Sequence, residues 1–264
     1  MSWNTVVGLE IHAQMATQSK MFCACRRQAG ALPNSNICPV CVGWPGALPV
    51  LQGEAVRCAI RAAICLGCDI QELSRFDRKN YFYPDLPKGY QISQFYHPYA
   101  LGGSIPFTRD DGSAAVLPLV RIHMEEDAGK SSHEEDGTSR IDLNRCSSPL
   151  LEIVSEPLLM SGTEAASCVR SVRALLRWVG VCDGDMEKGN LRCDVNVSVM
   201  PEDAVEFGTR AELKNLNSFV SIERSVVVET ARQIDVIEGG GQVVQETRLW
   251  DQDKEVTASM RGKE

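Results

Sequence analysis

The sequence lacks the features of membrane and secreted proteins. It contains no run of about 18 apolar residues, the length that a helix needs to cross a bilayer. Residues 1–4 lead directly into a strand-like pattern, without the basic leader and apolar segment of a secretory signal. We therefore expect no membrane contact, and a location in the bacterial cytoplasm or, in a eukaryote, in an organellar matrix or stroma.

Common motifs for nucleotide binding and hydrolysis are also absent. No Gly-x-Gly-x-x-Gly fingerprint of a Rossmann dinucleotide site occurs. The triplet Gly129-Lys130-Ser131 lacks the P-loop glycine, because Met124 occupies that position. The chain also has no His-Glu-x-x-His or Gly-x-Ser-x-Gly motif. If the chain handles ATP, it must bind the nucleotide in another way.

Positive charge is scarce, with 27 Lys and Arg against 35 Asp and Glu and a net charge of −8. Phosphate contacts need clustered basic side chains, so bulk charge does not bind a nucleic acid here. Repeats, low-complexity segments and long linkers are missing as well. We expect one continuous catalytic domain over residues 1–264, with a small zinc-binding insertion at about residues 20–45.

Four of the eleven cysteines are grouped in the sequence: Cys23, Cys25, Cys38 and Cys41. Disulfides are rare in a reducing compartment, whereas two closely spaced thiolate pairs supply the four ligands of a tetrahedral Zn²⁺ site. Because four thiolates leave no open position on the metal, this zinc would be structural. A redox dithiol pair and unligated buried thiols are the alternatives.

Three segments have the apolar spacing of amphipathic helices. The first covers residues 54–66, the second begins at a capping box in 161–164 and ends at Gly180, and the third covers 217–238. The positions expected to face the core are Val56, Ile60, Ala63, Ile64, Val169, Val172, Leu176, Val179, Phe219, Ile222, Val226, Ile234 and Ile237.

Alternation in the predicted strands places apolar and polar side chains on opposite faces. The strands are expected within residues 7–14, 116–126, 150–154, 191–199 and 209–214. On residues 116–126 the apolar side carries Val120, Ile122 and Met124, and the polar side carries Arg121, His123 and Glu125. The polar side chains collected on one face are Glu10, His12, Glu125, Glu152, Asp194 and Glu212.

These patterns predict an α+β fold, with a mostly antiparallel sheet and helices on its apolar face. Solvent could simply cover the polar face. Solvent-facing strand positions, however, usually carry Thr, Lys and β-branched residues, and so many carboxylates repel one another unless cations neutralise them. The pattern favours a site at which carboxylate-held metal ions would bind ATP.

The segment from Asp77 to Gln94 mixes charged residues, three tyrosines and two prolines, without a clear helix or strand period. Such a segment is either plain surface or a binding loop held on a scaffold.

Seven segments together resemble the B subunit of the bacterial and organellar glutamyl/aspartyl-tRNA amidotransferase. They cover residues 7–12, 38–41, 77–94, 121–130, 151–157, 191–198 and 246–250, in the order and at the spacing of that family. The resemblance implies a cradle domain similar to the catalytic fold of glutamine synthetase. It also implies that the chain uses Mg²⁺-ATP to phosphorylate the side-chain carboxylate of Glu or Asp mischarged on tRNA, after which ammonia displaces phosphate.

The resemblance assigns roles to residues of this chain. It assigns Mg²⁺ and ATP to Glu10, His12, Glu125 and Glu152, with Asp194, Glu212 and Lys214 as further ATP-binding candidates. Lys79 and Lys88, with Tyr83 nearby, correspond to residues along the path of ammonia. The implied partners are an amidase A subunit that releases ammonia from glutamine, a small C subunit, and mischarged Glu-tRNA(Gln) or Asp-tRNA(Asn).

Two departures from the family pattern bear on this assignment. Cys146-Ser147-Ser148 replaces small residues such as Ala-Gly, and the family continues beyond residue 264 with a segment that completes the cradle and with domains that bind tRNA. A catalytically inactive, zinc-stabilised assembly module is therefore the alternative function. A zinc-ribbon nucleic-acid-binding domain is a third, but only Lys20, Arg26 and Arg27 supply basic charge near the cysteines.

Overall fold

A computed structural model describes residues 2–28, 30–134 and 136–260. In chain order the elements are β1 (Trp3–Gln14), α1 (Gly53–Cys65), β2 (Asp69–Ile70), β3 (Asp77–Asn80), β4 (Tyr90–Ser93), β5 (Ala100–Leu101), β6 (Ser104–Thr108), β7 (Ala114–Glu126), β8 (Lys130–His133), β9 (Ser139–Asp142), β10 (Pro149–Ser155), β11 (Leu158–Leu159), α2 (Gly162–Trp178), β12 (Leu191–Pro201), β13 (Ala211–Lys214), α3 (Phe219–Glu238), β14 (Thr247–Asp251) and β15 (Val256–Ser259). No helix in these ranges is long and apolar enough to cross a membrane.

Eleven strands form one sheet in the order β15-β14-β13-β12-β1-β10-β7-β5-β2, with β11 beside β1 and β6 beside β7. Within the described residues every pairing in this sheet is antiparallel except that of β13 with β14. The four long strands β12, β1, β10 and β7 lie together at its centre. The predicted α+β fold with a mostly antiparallel sheet is confirmed.

The apolar face of the sheet packs against α2 and α3. On β1 this face carries Val7, Leu9, Ile11 and Ala13, all at most 1% exposed. Helix α2 begins with the predicted capping box: Ser161 Oγ accepts a hydrogen bond from Glu164 N at 3.1 Å, and Glu164 Oε2 accepts one from Ser161 N at 3.2 Å. The predicted core positions Val169, Val172 and Leu176 are buried.

The core face predicted for α1 is only partly correct. Ala63 is buried as expected, but Ile60 and Ile64 are 36% and 66% exposed, and the helix also buries Ala55, Cys58, Ala59 and Ala62. Small side chains let the helix lie close to the sheet edge, where the Tyr99 hydroxyl donates to Ala59 O at 2.9 Å. The two isoleucines lie on the outer side of the helix.

Helix α3 also differs from the pattern. Ile234 and Ile237 are only partly buried, while Glu229 and Gln233 are fully buried. Glu229 is neutralised there by Arg232, at 2.6 Å, and Arg248, at 3.3 Å. The spacing of apolar residues cannot predict that a carboxylate is buried with such partners.

The segment from Asp77 to Gln94, predicted without regular structure, contains the hairpin β3–β4. Strand β3 is mostly exposed, so it lacks the alternation that marks a half-buried strand. Gln94 Oε1 accepts a hydrogen bond from Met124 N at 3.0 Å, and Gln91 Nε2 donates to Glu126 O at 2.8 Å. These bonds hold the hairpin over the end of β7.

Strand β7 carries a bulge that changes the predicted alternation. Arg121 is opposite Val154 of β10, but the next pair joins Leu119 to Ser155, which leaves Val120 without a partner on β10. Leu117 and Leu119 therefore face the core before the bulge, as Ile122 and Met124 do after it.

Candidate functional site

Cross-strand pairing assembles the polar residues into two rows. His12 of β1 is opposite Glu152 of β10, and Glu152 is opposite His123 of β7. In the next row, Glu10 of β1 is opposite Asp194 of β12. Glu125 lies two residues beyond His123 on β7, so it lies on the same face of the sheet.

The side chains converge on the imidazole of His12. Its Nε2 lies 3.4 Å from Glu152 Oε2, 3.7 Å from Glu10 Oε1 and 3.8 Å from Glu125 Oε1. His123 Nε2 lies 3.2 Å from Glu152 Oε2 and 3.7 Å from Glu125 Oε2. We call these five residues the carboxylate cluster.

Two sets of ligand atoms in or beside this cluster are close enough to hold a metal ion. Glu10, His12 and Asp194 form one set, and His12, Glu125 and Glu152 form the other. Within each set the oxygen and nitrogen atoms lie within 4.8 Å of one another. His12 belongs to both.

The pKa values of the cluster residues are shifted because negative charges lie close together. Burial, aided by Glu152, raises the pKa of Glu10. Burial alone would lower the pKa of His123, but Glu125 and Glu152 raise it to about 9. The pKa of His12 is raised in the same way, against burial, mainly by Glu152. Protonated histidines thus neutralise part of the charge, as bound cations would.

The partner histidines act in the opposite direction on Glu152. Burial would raise its pKa, but hydrogen bonds from His12 and His123 lower it below its ordinary value. Glu152 therefore stays ionised at the centre of the cluster and available to a cation.

Asp194 joins the cluster to a second group of charges. Lys214 Nζ contacts Asp194 Oδ2 and lies 3.0 Å from Glu212 Oε1, and Thr247 Oγ1 donates to Glu212 Oε2 at 2.8 Å. These carboxylates raise the pKa of Lys214, although burial opposes them. Glu212 and Lys214 thus lie on the predicted face, but they flank the cluster rather than belong to either set of ligand atoms.

The two predicted lysines of the ammonia path lie in different places. Lys79 is exposed on β3 and lines a cavity of 450 Å³ together with Glu10, Glu125 and Glu152. The Lys88 side chain is 5% exposed and pairs with the buried carboxylate of Glu126. It lines a separate cavity formed by residues 82–84 and 86–89.

Sequence reasoning gave no role to His123 or Arg121, although it placed both on the polar face. His123 completes the cluster. Arg121 and Glu10 line the cavity of 450 Å³ and also a larger one of 690 Å³, which extends along β1, β10 and β12 to Phe207. The alternation of β7 was the signal that could have singled out both residues.

The four grouped cysteines also come together, with their Sγ atoms within 4.8 Å of one another. Zinc–sulfur bonds of about 2.3 Å place tetrahedral ligands about 3.8 Å apart, so the spacing fits Zn²⁺. A hydrogen bond from Cys23, aided by Lys20, lowers the pKa of Cys41 to about 4. Lys20 Nζ lies 3.4 Å from Cys41 Sγ and is fully buried, where its charge can offset the excess negative charge of a four-thiolate zinc site.

Glycine is required where the cysteine-containing segment meets the hairpin loop. Gly43 has a φ of +72°, and a Cβ atom there would lie 2.5 Å from Lys88 Cγ. The cysteine-containing segment and the loop that carries Lys88 therefore pack directly against each other.

Comparison with known proteins identifies the family. The model of the GatB/GatE catalytic domain matches residues 5–264. The B subunit of the aspartyl/glutamyl-tRNA(Asn/Gln) amidotransferase of Thioalkalivibrio sulfidiphilus is 54% identical over 265 residues, which cover 100% of this chain and 56% of that protein. The subunits of the same name from Halorhodospira halophila and Chlorobaculum tepidum are 54% and 53% identical, and the match covers 55% of each.

The chain thus spans about half the length of the curated relatives that it matches. The family resemblance predicted from seven short segments is confirmed over nearly the whole sequence. This chain belongs to the GatB/GatE catalytic domain family.

Proposed function

We propose that this chain activates a carboxylate with ATP on the polar face of its sheet, as part of a tRNA-dependent amidotransferase. The observation that carries the proposal is the carboxylate cluster, in which three carboxylates and two histidines converge beside two cavities. The names of the relatives supply the reaction class. The chain would be a carbon–nitrogen ligase subunit with glutamine as the amido donor.

The donor set fits divalent cations. Carboxylate oxygens suit Mg²⁺, and the raised pKa of Glu10 and of both histidines indicates that these side chains concentrate negative charge. We assign Mg²⁺ to Glu10, Glu125 and Glu152, with His12 as the nitrogen donor and Asp194 at the flank. When bound, Mg²⁺ would supply the positive charge that the transferring phosphoryl group needs.

The substrate would be the side-chain carboxylate of Glu or Asp carried by tRNA(Gln) or tRNA(Asn). Its oxygen attacks the γ-phosphorus of ATP and ADP leaves, which gives an acyl phosphate. Ammonia then attacks the acyl carbon and gives up a proton as phosphate leaves, which gives the amide. The protein's contribution is to hold both reactants in line in a cleft that limits access of water to the acyl phosphate.

Ammonia would reach the site from the partner amidase subunit, with the small C subunit holding the two together. We assign Lys79 to the last part of this path, and its position in the lining of the cavity beside the carboxylate cluster supports this assignment. Lys88 would act further away, beside Glu126. A closed route keeps ammonia unprotonated until it reacts.

We assign the four cysteines to a structural Zn²⁺ ion, since four thiolates leave no open ligand position. The alternative of an inactive assembly module predicts no need to maintain a charged cluster at a cost in repulsion. The presence of all of Glu10, His12, Glu125 and Glu152 in one convergent group supports the catalytic proposal.

The decisive experiment is calorimetric titration of ATP into the full chain, with and without Mg²⁺, beside Glu10→Gln and Glu125→Gln. Glu202→Gln is the matched control, because among the described residues its exposed carboxylate accepts a side-chain hydrogen bond only from Ser2. We expect binding that requires Mg²⁺ and is lost in both cluster variants but not in the control. A folded wild-type chain that binds no ATP would refute a nucleotide site within these residues.

A further inference from the structure

The guanidinium of Arg121 has no partner for its charge. Within the described residues it forms no ion pair or hydrogen bond, and its buried Nε atom is unsatisfied. It does contact the ring of Phe95, whose centroid lies 5.1 Å from Arg121 Cζ. A partly buried cation without a counter-ion is costly, so its retention at this position needs an explanation.

Arg121 differs in this respect from two other cations beside the cluster. Lys214 is paired with Asp194 and Glu212, and Arg192 with Asp127 at 3.1 Å. Lys79 and Arg210 also line the cavities without an ion pair among the described residues, but both are exposed to solvent, whereas Arg121 is partly buried. Glu10 is the carboxylate that borders the same two cavities as Arg121, yet no ion pair joins them.

The backbone aims Arg121 at the junction of the two cavities. The bulge at Val120 lies directly before it, and bulges commonly redirect a side chain beside a binding site. Stacking on Phe95 then holds the guanidinium plane in position. A ligand that reached from the larger cavity to the carboxylate cluster would pass between Glu10 and Arg121.

A planar guanidinium with five donors matches the oxygens of a phosphoryl group. Apart from Glu10, Arg121 and Arg210, the larger cavity is lined by small, apolar and uncharged polar residues, among them Gly8, Asn196 and Phe207. Such a lining suits a nucleoside. We propose that Arg121 binds the terminal phosphoryl groups of the nucleotide at this junction. The nucleoside then lies in the larger cavity, and the acceptor carboxylate lies in the smaller one.

This assignment rests on the proposed function and sharpens it. It makes Arg121 a catalytic residue, because the guanidinium would touch the phosphoryl group as it is transferred. A solely structural role, in which Arg121 only packs on Phe95, predicts instead that loss of the guanidinium affects all ligands of the chain alike.

The test compares the affinities of ATP and AMP for the full chain by calorimetry in Mg²⁺, since AMP lacks the terminal phosphoryl groups. Arg121→Gln removes the charge, and Arg121→Lys keeps the charge without the planar fork. Arg109→Gln is the matched control: Arg109 stacks on Phe107 at 5.5 Å but lines neither cavity. Thermal melting of each variant verifies that it is folded.

We expect Arg121→Gln to weaken ATP binding roughly 10- to 100-fold and AMP binding by no more than about twofold. Arg121→Lys should lose less, and Arg109→Gln should change neither affinity. Unchanged ATP affinity in a folded Arg121→Gln chain would overturn the assignment, as would equal losses for ATP and AMP. If the wild-type chain binds neither nucleotide, the proposed function itself fails, and the role of Arg121 fails with it.

If Arg121→Gln does not fold, the decision rests on Arg121→Lys, which preserves the charge over Phe95. A selective loss of ATP affinity in this variant supports phosphoryl binding. Wild-type affinity for both nucleotides contradicts it.

Discussion

Variants of the buried pair of Lys88 and Glu126 can distinguish a structural role of Lys88 from a role in guiding ammonia. The two side chains are 5% and 1% exposed. Glu126 Oε1 also accepts a hydrogen bond from Ile92 N at 2.9 Å, but Oε2 has no hydrogen-bond partner within the described residues. Removal of the ammonium group therefore leaves a buried carboxylate with little compensation.

The expected cost follows from this burial. Removing one partner of a buried pair destabilises a protein by about 3–5 kcal/mol, because the remaining charge is left uncompensated. We expect Lys88→Met to lose an amount in this range. Adding Glu126→Gln removes the orphaned charge and preserves the acceptor for Ile92 N, so the double variant should return to within about 1 kcal/mol of the wild type.

Urea unfolding followed by circular dichroism measures both values. Lys79→Met is the control, since this exposed lysine has no ion pair within the described residues and its loss should change stability by no more than about 0.5 kcal/mol. The reasoning is refuted if Lys88→Met loses less than about 1 kcal/mol, or if the double variant is as unstable as the single one.

The same variants test the ammonia path. If Lys88 acts only in stability, the double variant should support normal glutamine-dependent amidation in the assembled amidotransferase. If Lys88 also guides ammonia, the stable double variant should remain slow with glutamine, and added ammonium should restore its rate.

Three further predictions concern the metal sites and α3. Cys41→Ser should lower both the zinc content and the melting temperature, because it opens a structural site; full zinc with unchanged melting would contradict this. Glu125→Gln should abolish ATP-dependent amidation in the assembled enzyme without unfolding the chain, and near-normal turnover would refute its metal role. Burial would raise the pKa of Glu229, but hydrogen bonds from Arg232 and Gln233 lower it below 4.5. Its contribution to stability is therefore complete above about pH 4.5 and is lost as pH falls through the lower folded pKa. Urea midpoints of Glu229→Gln between about pH 5 and 3 should fall less steeply than those of the wild type, and equal slopes would count against this.

Much of the candidate site could be predicted from the sequence because strand alternation is a local property. The period of two placed Glu10, His12, Glu125 and Asp194 on one face without knowledge of the strand order. The cysteine spacing likewise placed four thiols together, since short separations along the chain limit their separation in space.

What could not be predicted depends on which strands are neighbours. The chain order of β1, β7, β10 and β12 differs from their order in the sheet, so the row of His12, Glu152 and His123 is invisible in the sequence. Lys88 and Glu126 are 38 residues apart, and their pairing arises only from the docked hairpin. The face of α1 was predicted only in part, because apolar spacing favoured Ile60 and Ile64, whereas small side chains pack against the sheet edge.

The glutamine-synthetase-like cradle, the single-domain boundary and the roles of individual residues remain predictions. They concern chemistry and chain segments that backbone pairing does not reveal. Nucleotide titration and the amidation assays address the roles directly.

The row of His12, Glu152 and His123 limits which insertions and deletions leave the site intact. Deleting one residue inside β10 would turn Glu152 toward the hydrophobic interior and bring an apolar neighbour into its place. Loop-built sites tolerate changes in length that this one does not. Variation in the length of relatives should therefore fall in the turns between strands, and a library for redesign should exchange side chains along these strands while leaving their length untouched.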